Sequence, residues 1–200
     1  MNPLTPTRPS ASGAAEAAAR FAATAPADVH YAEIDTPVGT LVAARTERGL
    51  ARLAYEDFNG GAELIVSQLA ERLSPRILES PARLDDLRRE LDEYFEGKRT
   101  RFDLPIDWSL VRGDFGRRVL QATARIPFGE VSTYRDVATR AGSAGAVRAA
   151  GNALGANPMP IVVPCHRVLR TGGGLGGYTG GLHRKETLLG IEGVLPAQLG

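Results

Sequence analysis

The segment Ile161-Val162-Val163-Pro164-Cys165-His166-Arg167 joins a short apolar run to the only cysteine of the chain. We expect the apolar run to be a short buried strand that ends beside Cys165. A lone cysteine next to a histidine is a candidate nucleophile, because an imidazole can take up the thiol proton. Most free cysteines are small core residues, however, and Cys165 taken alone favours that simpler interpretation. The flanking sequence therefore has to distinguish the two.

Both flanks favour a rigidly held, reactive thiol. Upstream, Asn157-Pro158-Met159-Pro160 adds two prolines to Pro164, and each proline fixes the backbone dihedral φ. Rigid presentation suits a nucleophile that must meet its substrate at one angle. Downstream, a glycine-rich loop over 172–177 leads to a last helix, predicted over 183–190. Lys185 in that helix and Glu192 beyond it are the later ionisable groups best placed to reach the thiol.

Two short helices before this segment are typical of a helix-turn-helix. The pattern predicts a helix over 134–141, capped by Ser132 or Thr133, and a second helix over 146–154. Arg148 is the only long polar side chain of the second helix, whereas a reader of the major groove usually presents several. Small residues allow close approach to a surface, and one arginine could enter a duplex or a minor groove. The alternative is a plain alanine-rich packing helix.

The first half of the chain has no cluster of residues typical of catalysis, so we assign it a supporting role. The elements predicted there are strands over 29–34, 40–44 and 50–55 and helices over 62–73 and 84–95, and a helix over 115–125, capped by Asp114, begins the second half. The three strands are expected to form an antiparallel meander. The many charges of the 84–95 helix are expected to face solvent. Residues 1–27, rich in Ala, Pro, Ser and Thr, predict a mobile tail.

Composition excludes several classes of protein. One cysteine allows no internal disulfide and no cysteine-rich zinc site, and the three histidines are scattered. No apolar stretch is long enough to span a bilayer, and no secretory signal begins the chain. We therefore expect a cytoplasmic protein whose thiol stays reduced.

Charge is distributed unevenly along the chain. Residues 1–105 contain 13 basic and 17 acidic side chains, a net charge of −4, and residues 106–200 contain 11 basic and 6 acidic ones, a net charge of +5. The basic C-terminal half is therefore where a polyanion such as nucleic acid is expected to bind.

Motifs across 106–194 resemble, in order and spacing, the catalytic domain of the O6-alkylguanine-DNA alkyltransferases. They are Ile126-Pro127-x-Gly129-x-Val131-x-x-Tyr134, Ala146-x-Arg148-Ala149, Asn157-Pro158-x-Pro160, Pro164-Cys165-His166-Arg167-Val168, Gly176-x-Tyr178-x-Gly180-Gly181-Leu182-x-x-Lys185 and Glu192-Gly193. The resemblance implies an α+β protein. An N-terminal ribonuclease-H-like α/β domain over 28–105 is followed by a C-terminal helical domain over 106–194, which carries the helix-turn-helix and an active-site loop, and by a tail over 195–200.

The resemblance also implies the roles of individual residues. Cys165 accepts the alkyl group, His166 acts as its base through a water, and Glu192 orients the histidine. Tyr134 donates to guanine N3, and Lys185 helps to polarise Tyr134 or the guanine oxygen. The implied substrate pocket consists of the Asn157 hinge, the backbone carbonyls of Cys165 and Val168, and a wall made by Tyr178 and Thr179.

The implied partner is double-stranded DNA bound through its minor groove. The substrate is O6-alkylguanine, together with O4-alkylthymine, flipped out of the duplex. Arg148 fills the space that the base leaves, and the other implied DNA contacts are Tyr134, Ala146, Ala149 and Arg167. Because an S-alkylcysteine thioether has no ready leaving route, each molecule is expected to act once and stay modified. We expect a monomer, with no cofactor and no metal.

Three residues depart from many members of that family. Thr179 stands where serine is common, Gly116 where glutamine is common and Leu120 where tryptophan is common. The methyl group of Thr179 is expected to narrow the pocket, and the other two residues are expected to lie away from the thiol.

Two other interpretations remain open from the sequence. One is a helix-turn-helix regulator in which Cys165 is a core residue. The other is a cysteine hydrolase that uses Cys165, His166 and Glu192. Side chains of adjacent residues point in different directions along the chain, which disfavours the direct thiol–imidazole contact of a hydrolase.

Overall fold

The computed structural model describes residues 27–195, so the tails expected over 1–27 and 195–200 lie outside the described residues except at Ala27 and Leu195. The helices and strands in this range are β1 (Val29–Ile34), β2 (Leu41–Thr46), β3 (Gly49–Tyr55), α1 (Ala62–Arg72), β4 (Ile77–Glu79), α2 (Asp85–Phe95), α3 (Asp114–Thr123), β5 (Ser132–Thr133), α4 (Tyr134–Arg140), α5 (Val147–Gly155), β6 (Val168–Leu169) and α6 (Leu182–Ile191). Short 3-10 turns cover Pro81–Leu84, Trp108–Leu110 and Cys165–Arg167. No helix between residues 27 and 195 has the length and apolar character needed to cross a membrane.

The N-terminal domain is a four-stranded sheet with strand order β3-β2-β1-β4. The antiparallel meander of β1, β2 and β3 is confirmed. β4 was not predicted, because it is only three residues long and largely exposed, and it pairs with β1 in parallel. One face of the sheet packs against α1, and the other face shares a core with α2 and the C-terminal helices. The predicted α+β class, with a sheet domain followed by a helical domain, is confirmed.

One charge of α2 does not face solvent as expected. Glu90 is buried, accepts a hydrogen bond from the backbone N–H of Asp103 at 2.9 Å and lies 3.6 Å from the guanidinium of Arg99. A buried carboxylate needs such partners, and here the segment that follows α2 supplies them. This face of α2 therefore packs against the protein.

The C-terminal domain contains the predicted pair of helices, α4 and α5, which pack together with α3. Thr133 begins α4 with a complete capping box, in which its hydroxyl and backbone exchange hydrogen bonds with Asp136. Asp114 is the first residue of α3 and does not cap it, because Gly113, with φ of 71°, occupies the cap position. The capping box fixes the direction in which Tyr134, the first residue of α4, leaves the chain.

The strand predicted over 161–163 is wrong, because this buried segment forms consecutive turns. Pro158, Pro160 and Pro164 have no N–H to donate to a strand ladder, and the Val163 N–H instead bonds to the Met159 carbonyl at 2.8 Å. Ile161 adopts a φ of 75°, which is uncommon and strained for a β-branched residue. The chain becomes extended only at β6, which pairs in parallel with β5.

Candidate active site

Three elements converge on Cys165. The β5–β6 pairing places Ser132 opposite Val168, and this brings the start of α4 beside the Cys165–Arg167 turn. The end of α6 brings Glu192 to the same turn. A cavity of about 300 Å³ opens onto the thiol, and the residues that line it are Phe58, Tyr134, Gly151, Leu154, Gly155, Cys165, Gly177, Tyr178 and Thr179. Its volume is at the lower end of the range for small-molecule sites.

Cys165 lines this cavity, with only 5% of its surface exposed. Burial raises the pKa of the thiol, and the hydrogen bond from Asn157 and the positive charge of Lys185 only partly oppose that effect. The resting group is therefore a thiol rather than a thiolate. A reaction at this sulfur needs a base that removes the proton during the reaction.

Asn157 connects the second helix of the helix-turn-helix to the active-site loop. Its Nδ2 donates to the Val163 carbonyl at 2.8 Å and to the Cys165 sulfur at 3.2 Å, and its Oδ1 accepts from the Met159 N–H at 3.0 Å. Its own N–H bonds to the Leu154 carbonyl at the end of α5. One buried residue thus holds both elements, the loop through its side chain and α5 through its backbone N–H, which is the position expected of a hinge.

His166 and Glu192 form a fully buried pair, with His166 Nε2 2.8 Å from Glu192 Oε1. Burial lowers the pKa of His166, and the attraction of Glu192 does not fully reverse that shift, so the imidazole is neutral near pH 7. The ionised carboxylate can only accept a hydrogen bond, so Nε2 carries the proton and Nδ1 keeps its lone pair. Nδ1 is buried and has no hydrogen-bond partner among residues 27–195. The arrangement therefore presents a base beside Cys165.

Glu192 is held by more groups than the histidine alone. Arg167 donates from Nε to Oε2 at 2.8 Å and from Nη2 to Oε1 at 2.9 Å, and the Tyr94 hydroxyl donates to Oε1 at 2.7 Å. Burial by itself would raise the pKa of Glu192, but the hydrogen bonds and charges of His166 and Arg167 outweigh it and lower the pKa to about 2. The carboxylate therefore stays charged and fixed throughout the physiological range.

The expected contact of Arg167 with DNA is wrong. Its side chain is buried, its guanidinium forms the two bonds to Glu192, and its Nη1 donates to the Ile126 carbonyl. A buried carboxylate needs a buried partner of opposite charge, and this pairing takes Arg167 away from the surface. Its position indicates that it stabilises Glu192.

The expected role of Lys185 also needs revision. Its ammonium donates to the backbone carbonyls of Val168 (2.6 Å), Leu175 and Gly177 (3.5 Å), and burial lowers its pKa to about 8. Three carbonyls take up the three donors of the ammonium group, so this geometry does not support polarisation of Tyr134 or of the guanine oxygen. Lys185 joins β6 to the glycine-rich loop and places a positive charge near the thiol.

Of the other predicted site residues, Tyr134, Tyr178 and Thr179 line the cavity with Cys165, and Val168 is not among its lining residues. Tyr134 is half buried, and its hydroxyl lies so close to the glycine-rich loop that a Cβ on Gly176 would be 2.6 Å away, so only glycine fits there. Tyr178 and Thr179 line the cavity, and the Thr179 hydroxyl donates to the Gly155 carbonyl at 3.0 Å. The Val168 carbonyl accepts from Lys185, which leaves one lone pair for a second donor.

The N-terminal domain supplies three residues that were not predicted to belong to the site. The Tyr94 hydroxyl reaches Glu192, the Tyr55 hydroxyl meets the Tyr178 hydroxyl at 2.9 Å, and the exposed ring of Phe58 lines the cavity. Each lies more than 70 positions from Cys165, so local sequence spacing could not indicate that it belongs to the site.

The helix expected to enter DNA presents the predicted surface. Arg148 and Ala149, in the first turns of α5, are exposed, and Ala146, the residue before the helix, is partly exposed. Arg148 forms no ion pair or hydrogen bond with the part of the chain that the structure describes. Gly151 and Leu154, on the same helix, line the cavity with Cys165, so α5 is shared by the surface and the pocket.

Comparison with known proteins agrees with this geometry. The family model for the DNA binding domain of 6-O-methylguanine DNA methyltransferase matches residues 114–194, and the model for its ribonuclease-like domain matches residues 29–108. The methylated-DNA–protein-cysteine methyltransferase of Mycolicibacterium paratuberculosis is 39% identical over 82% of this chain and 92% of its own length. The constitutive enzyme of Bacillus subtilis is 38% identical over 82% of this chain and 94% of its own length. The chain belongs to the 6-O-methylguanine DNA methyltransferase family.

Solved structures place the whole fold in this family. The crystal structure of the Mycobacterium tuberculosis O6-methylguanine methyltransferase matches with a TM-score of 0.70 and 37% identity, over 85% of this chain and 96% of that chain. The structure of that organism's protein in complex with DNA matches equally well, with a TM-score of 0.70 over 82% of this chain and 93% of that chain. A regulator without chemistry is accordingly not favoured.

The three residues that differ from many family members lie in three different places. Gly116, in α3, faces Ala153 of α5 and Val111, and Leu120 is buried in the core. Neither lines the cavity, so both lie away from the thiol as expected. Thr179 does line it, and the bond of its hydroxyl to Gly155 ties the pocket wall to the end of α5.

Proposed function

We propose that this protein repairs DNA by direct reversal, moving an alkyl group from guanine O6 to the sulfur of Cys165. The observation that carries the proposal is a buried thiol that lines a cavity, beside a neutral histidine whose Nε2–H is held by an ionised glutamate. The names of the M. paratuberculosis and B. subtilis relatives describe this transfer between methylated DNA and a protein cysteine.

In the proposed reaction, His166 Nδ1 takes the Cys165 proton, through a bridging water because adjacent side chains diverge. The imidazolium that forms is stabilised by Glu192, 2.8 Å from Nε2. The thiolate attacks the saturated carbon on the side opposite O6. The S–C bond forms as the C–O6 bond breaks, and the electron pair stays with guanine. Guanine takes up one proton through the Tyr134 hydroxyl and the imidazolium releases one to solvent, so the thiol proton is balanced by the proton that guanine gains. The thioether has no leaving route, so the protein is consumed.

The pocket residues have the roles in this proposal that the resemblance to the family implies. The Tyr134 hydroxyl donates to guanine N3, and the carbonyls of Cys165 and Val168 accept from the exocyclic amine. Tyr178 and Thr179 form the wall beside O6. O4-alkylthymine is a smaller base that presents the same alkyl–oxygen bond, and we propose it as a second substrate of the same cavity.

We propose that DNA is bound through its minor groove by α5 and that the damaged base is flipped into the cavity. Small residues at positions 146 and 149 allow close approach, and Arg148 takes the place of the flipped base. The chain is proposed to act as a cytoplasmic monomer without a cofactor. We propose that its N-terminal domain covers residues 28–105 and its C-terminal domain covers residues 106–194.

Replacing Arg148 with alanine is expected to slow repair of duplex DNA by about 10- to 100-fold, because an extrahelical base costs a few kcal/mol that the arginine offsets. Single-turnover rates should be measured on duplex and on single-stranded substrate, where no base pair has to open. The single-stranded rate should change much less. Arg89→Ala, which removes an exposed arginine from α2, is the matched control and should leave both rates unchanged. Equal losses on the two substrates would contradict base flipping by Arg148.

Stoichiometry tests the proposed function as a whole. The protein is incubated with an excess of duplex DNA that contains O6-methylguanine, and the lesions removed are counted against molecules of protein. We expect removal to stop at one lesion per molecule. Continued turnover would indicate a hydrolase, and no removal by folded, DNA-binding protein would indicate a regulator.

A further inference from the structure

Glu192 accepts a hydrogen bond from a residue that the proposed chemistry does not use. The Tyr94 hydroxyl, from α2 of the N-terminal domain, donates to Glu192 Oε1 at 2.7 Å, across 98 positions of sequence. The Tyr94 ring is fully buried and packs against Phe95, Phe102 and Phe128, with ring centroids 5.3, 5.5 and 6.0 Å away. This packing fixes the ring, so the hydroxyl has a defined direction toward the carboxylate.

Tyr94 and His166 share one acceptor atom. Oε1 accepts from the Tyr94 hydroxyl at 2.7 Å, from His166 Nε2 at 2.8 Å and from Arg167 Nη2 at 2.9 Å. A hydrogen bond to a carboxylate oxygen draws negative charge away from it, so the oxygen attracts a neighbouring proton less strongly. With the phenol in place, Glu192 still orients the imidazole but stabilises its protonated form less.

We propose that Tyr94 is a positioning residue that extends to lower pH the range in which His166 is neutral and can accept the Cys165 proton. The N-terminal domain would thereby take part in the reaction through Glu192. The N-terminal domain thereby affects the protonation state of His166, and this contribution is separate from DNA binding.

The other groups around His166 do not mask the effect of Tyr94 on its protonation. Arg167 and Lys185 both oppose protonation of the imidazole, and so does burial, whereas Glu192 is the one charged group between residues 27 and 195 that favours it. The ring of Tyr178 stands edge-on to His166 at 6.3 Å and carries no charge at neutral pH. The protonation of His166 therefore depends most directly on how strongly Glu192 attracts the proton, which is the property that Tyr94 changes.

The decisive experiment measures the pKa of His166 by NMR titration of the wild-type protein and of Tyr94→Phe. The chain has three histidines, so the His166 signal is assigned by its loss in His166→Gln. Tyr94→Phe should raise this pKa by about half a unit to one unit, which corresponds to about 0.7–1.4 kcal/mol. Tyr31→Phe, which changes a tyrosine on β1, is the control and should leave it unchanged. An unchanged or lower pKa in Tyr94→Phe would overturn the proposal.

Incorporation of fluorinated tyrosine tests whether the pKa of His166 can also be lowered. This test does not depend on the stability of Tyr94→Phe. Fluorinated tyrosine is a stronger hydrogen-bond donor, because fluorine makes the phenol more acidic. Its incorporation at all five tyrosines should lower the pKa of His166. A rise, or no change, would contradict the role of Tyr94.

The transfer assay adds a kinetic readout, and this part alone rests on the proposed function. The acidic limb of the pH–rate profile should move to higher pH in Tyr94→Phe by the same amount as the pKa, with unchanged DNA affinity. A uniform loss of rate at every pH would instead indicate a purely structural role. If wild-type protein transferred no alkyl group, the proposed function would fail, while the NMR titration would still decide the effect of Tyr94.

Discussion

Cys165→Ala is expected to abolish alkyl transfer completely while DNA binding and folding persist. The sulfur is the proposed acceptor, and residues 27–195 contain no other cysteine that could replace it. Alanine is smaller and fits the buried site without a clash, and a cost of about 1 kcal/mol in the free energy of unfolding is typical of such a change. Rapid-quench transfer assays and salt-dependent DNA binding measure the two properties separately.

Cys165→Ser is the matched control for this experiment. Its hydroxyl can accept the hydrogen bond that Asn157 now donates to the sulfur at 3.2 Å, so the pocket is preserved. A serine hydroxyl is a far weaker nucleophile than a thiolate, so transfer should still be absent. Any lesion removal by the alanine variant would place the acceptor elsewhere. Loss of DNA binding in both variants would instead favour a structural role for Cys165.

Glu192→Gln should slow transfer by about 100- to 1,000-fold, within the usual contribution of an acid–base group. A neutral amide cannot stabilise the imidazolium that forms when His166 takes the thiol proton. The same change leaves the buried Arg167 without its counter-charge, so we expect the free energy of unfolding to fall by about 3–5 kcal/mol. Single-turnover kinetics and denaturant unfolding provide the two measurements.

The pH dependence of stability should change in the same variant. The pKa of Glu192, about 2, lies below its ordinary value of 4.5, so the carboxylate stabilises the fold above pH 4.5. That contribution is lost as the pH falls from about 4.5 to about 2. Glu192→Gln should therefore lose less stability than the wild type across this interval.

Glu90→Gln separates catalysis from stability in this comparison. Glu90 is also a buried carboxylate beside an arginine, but it bonds to Asp103 and lies near Arg99 rather than in the site. It should lose stability and keep the wild-type transfer rate per folded molecule. If both variants transferred at the wild-type rate, Glu192 would have no part in the chemistry.

The motifs near Cys165 could be predicted because their partners lie close in sequence or in a recognisable order. The cap at Thr133, one of two candidates, and the helix-turn-helix followed from local patterns, whereas the His166–Glu192 pair followed from the resemblance to the family. The contact of Arg167 with DNA was implied by the resemblance to the family, and only the tertiary fold places a buried carboxylate beside this arginine. The strand over 161–163 was misassigned because apolar character was given more weight than the missing donors of three prolines.

The contribution of the N-terminal domain could not be predicted for a different reason. Tyr94 is one of several apolar residues at helical spacing in α2, and nothing local distinguishes its hydroxyl from that of an ordinary core tyrosine. Its partner, Glu192, is 98 positions away, and the two meet only when the domains pack together. Phe58, an exposed ring in a turn, could likewise not be assigned to the site from sequence, because only the fold places it at the cavity.

The mass of the protein after reaction tests the central claim most directly. The protein is incubated with duplex DNA containing O6-methylguanine, and the intact mass and the mass of each proteolytic peptide are then measured. We expect every molecule to gain the mass of one CH₂, located in the peptide that contains Cys165 and on its sulfur. An unchanged mass for folded protein that binds the DNA, or a methyl group on any other residue, would contradict the account.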